Sequence, residues 1–290
     1  NPFLAPAILN IIPHLEFSKG AYFPDNGMYS IADALFKLAK KLGVKFEFDK
    51  KVNSIETANN KTIGIKTDNT IFHSDLIICN ADIYFTYKHL LKQAVKAQKV
   101  LKQERSTSAL IFYWGIKKEF KNLELHNILF SGDYKNEFSC LQKGTISNDP
   151  TVYINITSKK NKRDAPKGCE NWFVMINVPS DNNQKWDELI EESKKNIIRK
   201  INASLHTDIA SFIDVEQVLE PRLIETMTGS FKGSLYGTSS NSKMAAFFRH
   251  PNFSKQYNNL YFCGGSVHPG GGIPLALSSA KIVDSLIPPN

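Results

Sequence analysis

The stretch "FCGGSVHPGGGIPLALSSAKIVDSLI", residues 262–287, sets five glycines, Gly264, Gly265, Gly270, Gly271 and Gly272, within eleven positions and passes directly into an apolar-periodic segment. Glycine loses more conformational freedom on folding than any other residue, so this density marks left-handed backbone or close approach of the main chain to another body. The residues ahead of it, "NNLYFCGG", predict a short strand, and Pro274 suits the first turn of a helix over 274–287. Strand, glycine turn and helix start in that order leave main-chain N–H groups unpaired at the positive end of a helix dipole, where an anion or an electron-rich ring atom can sit. The spacing is not G-x-G-x-x-G, and a connection whose glycines serve only the turn accounts for the same residues.

Elsewhere the pattern alternates between helix and strand. "MYSIADALFKLAKKLG" (28–43) places Ile31, Leu35, Leu38, Ala39 and Leu42 on one helical face and stops at Gly43. The β-prone runs 44–48, 51–56, 62–67 and 70–73, broken at Asn59-Asn60 and Asp68-Asn69, predict a small meander. The apolar run in "SDLIICNAD" (74–82) predicts a fully buried strand with a polar turn at Asn80 and Asp82. Residues 84–105 read as helical and cationic, and "SALIFYWGI", "TVYINIT" and "NWFVMINVP" predict strands of a second sheet. A covering helix is expected over 183–205, with Trp186, Leu189, Ile190, Ile197, Ile198 and Ile201 on one side. The stretch 221–257 reads as loop-rich.

Composition narrows the functional classes. Thirty-six basic against 28 acidic residues give a net charge of +8. This suits a solvated basic face or an acidic membrane surface. No helix or sheet shows the basic stripe interleaved with aromatics that a nucleic acid would need. Cys79, Cys140, Cys169 and Cys263 are isolated, so no metal centre and no disulfide framework is expected, and a reducing, cytoplasmic setting fits. The longest apolar run, "ALIFYWGI", is too short to span a bilayer, which leaves peripheral attachment as the membrane option.

Several segments together carry a family likeness. "LYFCGGSVHPGGGIPLALSSAKI" resembles the C-terminal flavin-binding signature of the bacterial carotenoid desaturases, the phytoene desaturase family within the amine-oxidase-like FAD enzymes. "GAYFPDNGMYSIADALFKLAKKLGVKF" is similar to that family's Y-x-P-x-G-G-M-Y segment, with Asn26 where a glycine is usual, and "DLIICNAD" to its S-N-A-D turn, with Cys79 in place of the small polar residue. "GSLYGTSSNSKMAAFFRHPN" resembles the loop before its last strand. Within the family, "GGSVHPGGGIPLALSSAKI" and "SALIFYWGIKKEF" are closer to the hydroxycarotenoid 3,4-desaturases.

The resemblance implies a mixed α/β fold, a partial Rossmann-like FAD-binding domain from 28–82 and 258–290, and a sheet-containing substrate domain with covering helices from 1–27 and 83–257. It also implies that the family's N-terminal G-x-G-x-x-G element precedes this stretch, so that the chain is expected to be the C-terminal portion of a desaturase. By the same likeness Gly264, Gly265 and Ser266 lie beside the ribityl and pyrophosphate, Gly272, Ile273 and Pro274 lie under the flavin ring, and Gly271 is also cofactor-binding. Val52 meets the adenine through its backbone, and Asn80, Ala81 and Asp82 face the cofactor. His268 is the one candidate for taking a proton beside the flavin, against a plainer role in ordering the Gly-Pro turn. Asp82 invites the same claim, against a turn or helix cap, and Arg249 is a candidate for the substrate entrance. The implied reaction is FAD-dependent desaturation of a long polyene in an apolar tunnel. An amine-oxidase-like enzyme on another substrate such as a porphyrinogen, and a flavin-free lipid-binding module, stay open.

Overall fold

The computed structural model describes residues 1–91, 101–241 and 249–288. Of the expected cationic helix over 84–105, residues 92–100 lie outside the described residues. The start of that segment is a helical turn over 83–90, capped by Asp82, whose carboxylate accepts from the N–H groups of Tyr84 (2.8 Å) and Phe85 (3.2 Å).

The larger core forms on a five-stranded antiparallel sheet. Its strands are β5 (Ser108–Ile116), β6 (His126–Leu129), β7 (Val152–Asn155), β8 (Glu170–Val178) and β9 (Ile213–Leu219), in spatial order β6-β7-β8-β5-β9. β5 and β8 pair from Ser108↔Val178 to Ile116↔Glu170 without a bulge. β8 alternates strictly between buried and half-buried positions, the period-2 signature of a sheet with one face on a core. The helix Trp186–Leu205 covers that face with Trp186, Ile197 and Ile201, all fully buried against Phe112, Trp114, Trp172 and Val174. β6 and β9, which the sequence reading did not anticipate, are the two edges; β9 has no buried residue, and Ile213 and Val218 are half-buried against the core.

A second core gathers Ile55, Cys79, Ile83, Tyr87, Leu260, Phe262 and Val267. It underlies an antiparallel meander of β1 (Val52–Ala58), β2 (Lys61–Thr67) and β3 (Ile71–His73), and a parallel pair of β4 (Ile77–Cys79) and β10 (Leu260–Phe262). The helices are α1 (Ile11–Lys19), α2 (Tyr29–Lys41), α3 (Tyr134–Gln142), α4 (Trp186–Leu205), α5 (Pro221–Thr228) and α6 (Ile273–Leu286).

Three local expectations are corrected. β4 is not fully buried: Cys79 is, but Ile78 is 48% exposed, because the parallel pair is only two strands wide and has one face open. Residues 44–48 form no strand, since a β ladder needs a neighbour and none pairs with them among the described residues. Phe46 and Phe48 pack instead on Phe36 of α2, while Leu35, Leu38 and Leu42 on the apolar side of that helix remain more than half exposed. The stretch 221–257 is not all loop. Glu220 caps α5 by accepting from Arg222 N–H, Pro221 opens it, and Gly229 closes it in the left-handed conformation.

Candidate functional site

β4 and β10 run parallel, Ile77 to Cys79 beside Leu260 to Phe262, so both chains leave the pair at the same edge. Such a carboxyl edge is where open α/β sheets hold ligands. One exit carries Asn80, Ala81 and Asp82; the other carries Gly264, Gly265 and Ser266. Cys263 N–H donates to Cys79 O at 3.1 Å, and Ile83 N–H donates to Ser266 Oγ at 3.0 Å, tying the two turns together. Gly264 has φ +104°, and a Cβ there would collide with Asn80 Oδ1. A Cβ on Gly271 would stand 2.5 Å from the Tyr236 ring. The positive φ at Gly264 and the Tyr236 contact at Gly271 each call for glycine independent of any ligand.

The side chain of Asn252, almost fully buried, holds the turn from behind. Its Nδ2 reaches three acceptors: Phe262 O (3.1 Å), His268 O (2.8 Å) and Ser279 Oγ (2.9 Å). Ser279 Oγ, on α6, also accepts from Gly264 N–H at 3.1 Å. One amide therefore joins the end of β10, the glycine turn and the last helix.

At the start of α6 the packing opens. Gly272 has φ +104° and ψ +147°, no side chain caps the helix, and a Cβ at Gly272 would meet nothing within 4 Å. Ile273 and Pro274 are exposed. A bare helix N-terminus facing open space fits the electron-rich edge of a flat ring, since its dipole and uncapped N–H groups favour negative charge there.

The opening leads into a cavity of about 1290 Å³ lined by Gly270, Gly271 and Gly272 at one end. Leu9, Ile12, Leu101, Phe138, Leu141 and Leu275 supply apolar wall. The expected unbroken apolar tunnel is not what the structure has, because Arg105 and Arg249 line the same cavity and both are largely buried. Arg249 donates from Nη1 to Tyr236 O (2.9 Å) and from Nη2 to Ser240 Oγ (3.0 Å). Arg105 lies over the Tyr84 ring, 4.9 Å from its centroid, and Tyr84 stacks on Phe231. Burial raises the Asp82 carboxyl above its ordinary range, with the Arg105 charge opposing that rise. Burial lowers both guanidiniums, and the Arg105 charge adds to the lowering at Arg249.

The remaining candidates lie apart from this opening. His268 is exposed and does not line the cavity; its backbone serves the turn, donating to His250 O (2.9 Å) and accepting from Asn252. Val52 opens β1, half-buried on the second core, and among the described residues no hydrogen bond joins it to the glycine turn. Asn252, Ser279, Tyr236 and Arg105 were not legible from the sequence as site residues. The one local signal was the Ser278-Ser279 pair directly after the apolar run 273–277.

Beneath the turn, His250 donates from Nδ1 to Pro251 O (2.7 Å), so its Nε2 accepts from Tyr87 OH (2.9 Å). Burial pushes the Tyr87 hydroxyl up to about 12, with Tyr257 adding to it, and pushes the imidazole below its ordinary 6.5. A histidine held neutral in the fold takes up a proton more readily when unfolded, so its contribution is present above pH 6.5 and is lost as pH falls below it. Thermal unfolding between pH 7.5 and 5 is expected to show a falling midpoint that flattens in His250→Gln; equal slopes in the two proteins would remove His250 as the source.

Comparison with known proteins follows the same lines. The family model for flavin containing amine oxidoreductases matches residues 4–283. The 1-hydroxycarotenoid 3,4-desaturase of Flavobacterium sp. (strain P99-3) is 55% identical over 289 residues, covering 99% of this chain and 59% of that protein. The phytoene desaturase of Fusarium fujikuroi is 29% identical over 308 residues, covering 98% and 54%. An oxidoreductase from Methanosarcina mazei superposes with a TM-score of 0.61 at 17% identity, over 96% of this chain and 58% of its own, a likeness of fold. The chain thus spans somewhat more than half the length of the relatives it matches.

Proposed function

The chain belongs to the family of flavin containing amine oxidoreductases, and from that premise we propose that it serves an FAD-dependent desaturation of a carotenoid polyene, of the hydroxycarotenoid 3,4 type. The observation that carries this reading is the bare start of α6, where Gly272 faces open space at the mouth of the cavity, in a chain 55% identical to a desaturase of that name. When bound, the flavin would supply an acceptor for hydride from a carbon allylic to the conjugated chain, while the proton of the neighbouring carbon passes to water or a base, so that a new trans double bond is left.

The residues of this chain would bind and orient. The start of α6 at Gly271, Gly272, Ile273 and Pro274 would take the ring, Gly264, Gly265 and Ser266 the ribityl and pyrophosphate side, and Val52 the adenine. Asn80, Ala81 and Asp82 would face the cofactor from the second turn. The apolar wall would exclude water from the reacting bond. We assign 28–82 with 258–290 to the flavin-binding part and 1–27 with 83–257 to the substrate part. Residues 83–91 pack with the former.

We further place the protein on the cytoplasmic side of a membrane, attached peripherally. In support, α1 exposes Ile11, Leu15 and Phe17 beside Lys19. Arg105 and Arg249 favour a second reading, a substrate carrying carboxylates. Holoenzyme given a 1-hydroxycarotenoid in lipid vesicles is expected to bleach its flavin and shift the carotenoid absorption to longer wavelength. Conversion of phytoene but not of the hydroxylated compound would overturn the 3,4 type, and conversion of a tetrapyrrole carboxylate alone would establish the second reading instead.

A further inference from the structure

Arg249 is a cation built into the glycine end of the cavity. It is only 9% exposed and lines that end together with Gly270, Gly271 and Gly272. Its Nε lies 3.0 Å from where a Cβ on Gly270 would be, two residues before the Gly272 N-cap of α6. The guanidinium is held in place: Nη1 donates to Tyr236 O (2.9 Å) and Nη2 to Ser240 Oγ (3.0 Å). The loop that carries these acceptors is itself seated on the glycine turn. A Cβ on Gly271 would stand 2.5 Å from the Tyr236 ring, and one on Gly237 would stand 2.9 Å from Ser266 Cα.

Both acceptors are neutral. No ion pair joins Arg249 to a carboxylate among the described residues, and the stretches 92–100 and 242–248 contain no Asp or Glu in the sequence. A guanidinium stays protonated in proteins, so the fold keeps a charge here at a cost in desolvation. Burial and the Arg105 charge both work against it. Negative charge arriving at this end would offset that cost. A hydride carries two electrons and one proton, so the ring that accepts it gains one negative charge, while the neighbouring substrate proton leaves to water or a base. A fixed cation in a site that excludes water acts on such charge far more strongly than one in solution. Resting on the desaturase reading above, we propose that Arg249 sets the reduction potential of the bound flavin, raising it by stabilising the charge that the ring gains on reduction.

The test is the midpoint potential of the flavin in the holoenzyme, measured by equilibration with a reference dye, in the wild type and three variants. Arg249→Met and Arg249→Gln remove the charge, and either decides the matter if the other does not fold; Arg249→Lys keeps the charge and loses the fork. In the two neutral variants the equilibrium is expected to move about tenfold toward the oxidised flavin, a potential about 30 mV lower. Arg249→Lys is expected to stay within about threefold of the wild type, about 15 mV. If a neutral variant holds flavin loosely, its Kd for oxidised and for reduced FAD gives the same ratio without any turnover, the loss being about tenfold larger for the reduced form. An unchanged potential in a neutral variant, equal shifts in the neutral and lysine variants, or folded neutral variants that take up neither form of FAD would overturn the inference and leave the desaturase reading standing. A wild type that takes up no FAD would remove that reading, and the inference with it.

Discussion

Gly272→Ala is expected to strip the protein of flavin while costing the fold no more than the same change at Gly43. Both glycines have a positive φ, +104° and +87°, and at neither would a Cβ meet a heavy atom within 4 Å. Each substitution therefore carries only backbone strain, about 1–3 kcal/mol. They differ in what lies beyond the Cβ. Gly43 ends α2 at the surface, whereas Gly272 faces the space assigned to the ring. A methyl there would push the ring from the α6 N-terminus, and an increase of about 10²-fold in flavin Kd is expected, from lost contact and the lost dipole interaction. The flavin-to-protein absorbance ratio after gel filtration, with thermal unfolding measured without added flavin, separates the two effects. Full flavin retention in Gly272→Ala would show that the ring does not lie against the helix start.

The second large effect is expected at Asn252. Alanine there removes the donor to Phe262 O, His268 O and Ser279 Oγ, in a position only 3% exposed. Two carbonyls and a hydroxyl left without that partner cost about 1–3 kcal/mol each, so a total near 4 kcal/mol is expected. For a chain of this size that lowers the unfolding midpoint by roughly 10 °C. Asn252→Asp tests the direction of the bonds, because a carboxylate cannot donate to two carbonyls and should fare no better than alanine. A midpoint within about 2 °C of wild type in either variant would remove the hub from the account.

What the sequence made legible was local. The alternation in β8 and the apolar stripe of α4 are long enough to identify their element, and the glycine turn declares itself through composition. Short elements escaped. β6 is four residues long, and β9 has no buried position to alternate with its exposed ones, so neither shows a pattern that outweighs a loop. α5 has its punctuation in the sequence, Glu220-Pro221 at the start and Gly229 at the end, but only eight residues between them. The site partners escaped for a different reason. Asn252 and Arg105 acquire their roles by meeting residues far along the chain, and nothing in their immediate neighbours announces it. Residues 44–48 were misread because propensity names a strand without supplying its neighbour.

The pairing of β4 with β10 also orders events in time. Ile83 and Ser266, joined by a hydrogen bond, are 183 residues apart, so the loop that must close between them encloses most of the chain. Contacts of such separation form late and slowly. During synthesis the edge of β4 emerges long before the strand that covers it, and the floor of the proposed flavin cradle is the last part of this chain to be made. Loading of the proposed cradle would therefore follow the closing of that loop, and bound flavin would report that β4 and β10 have found each other.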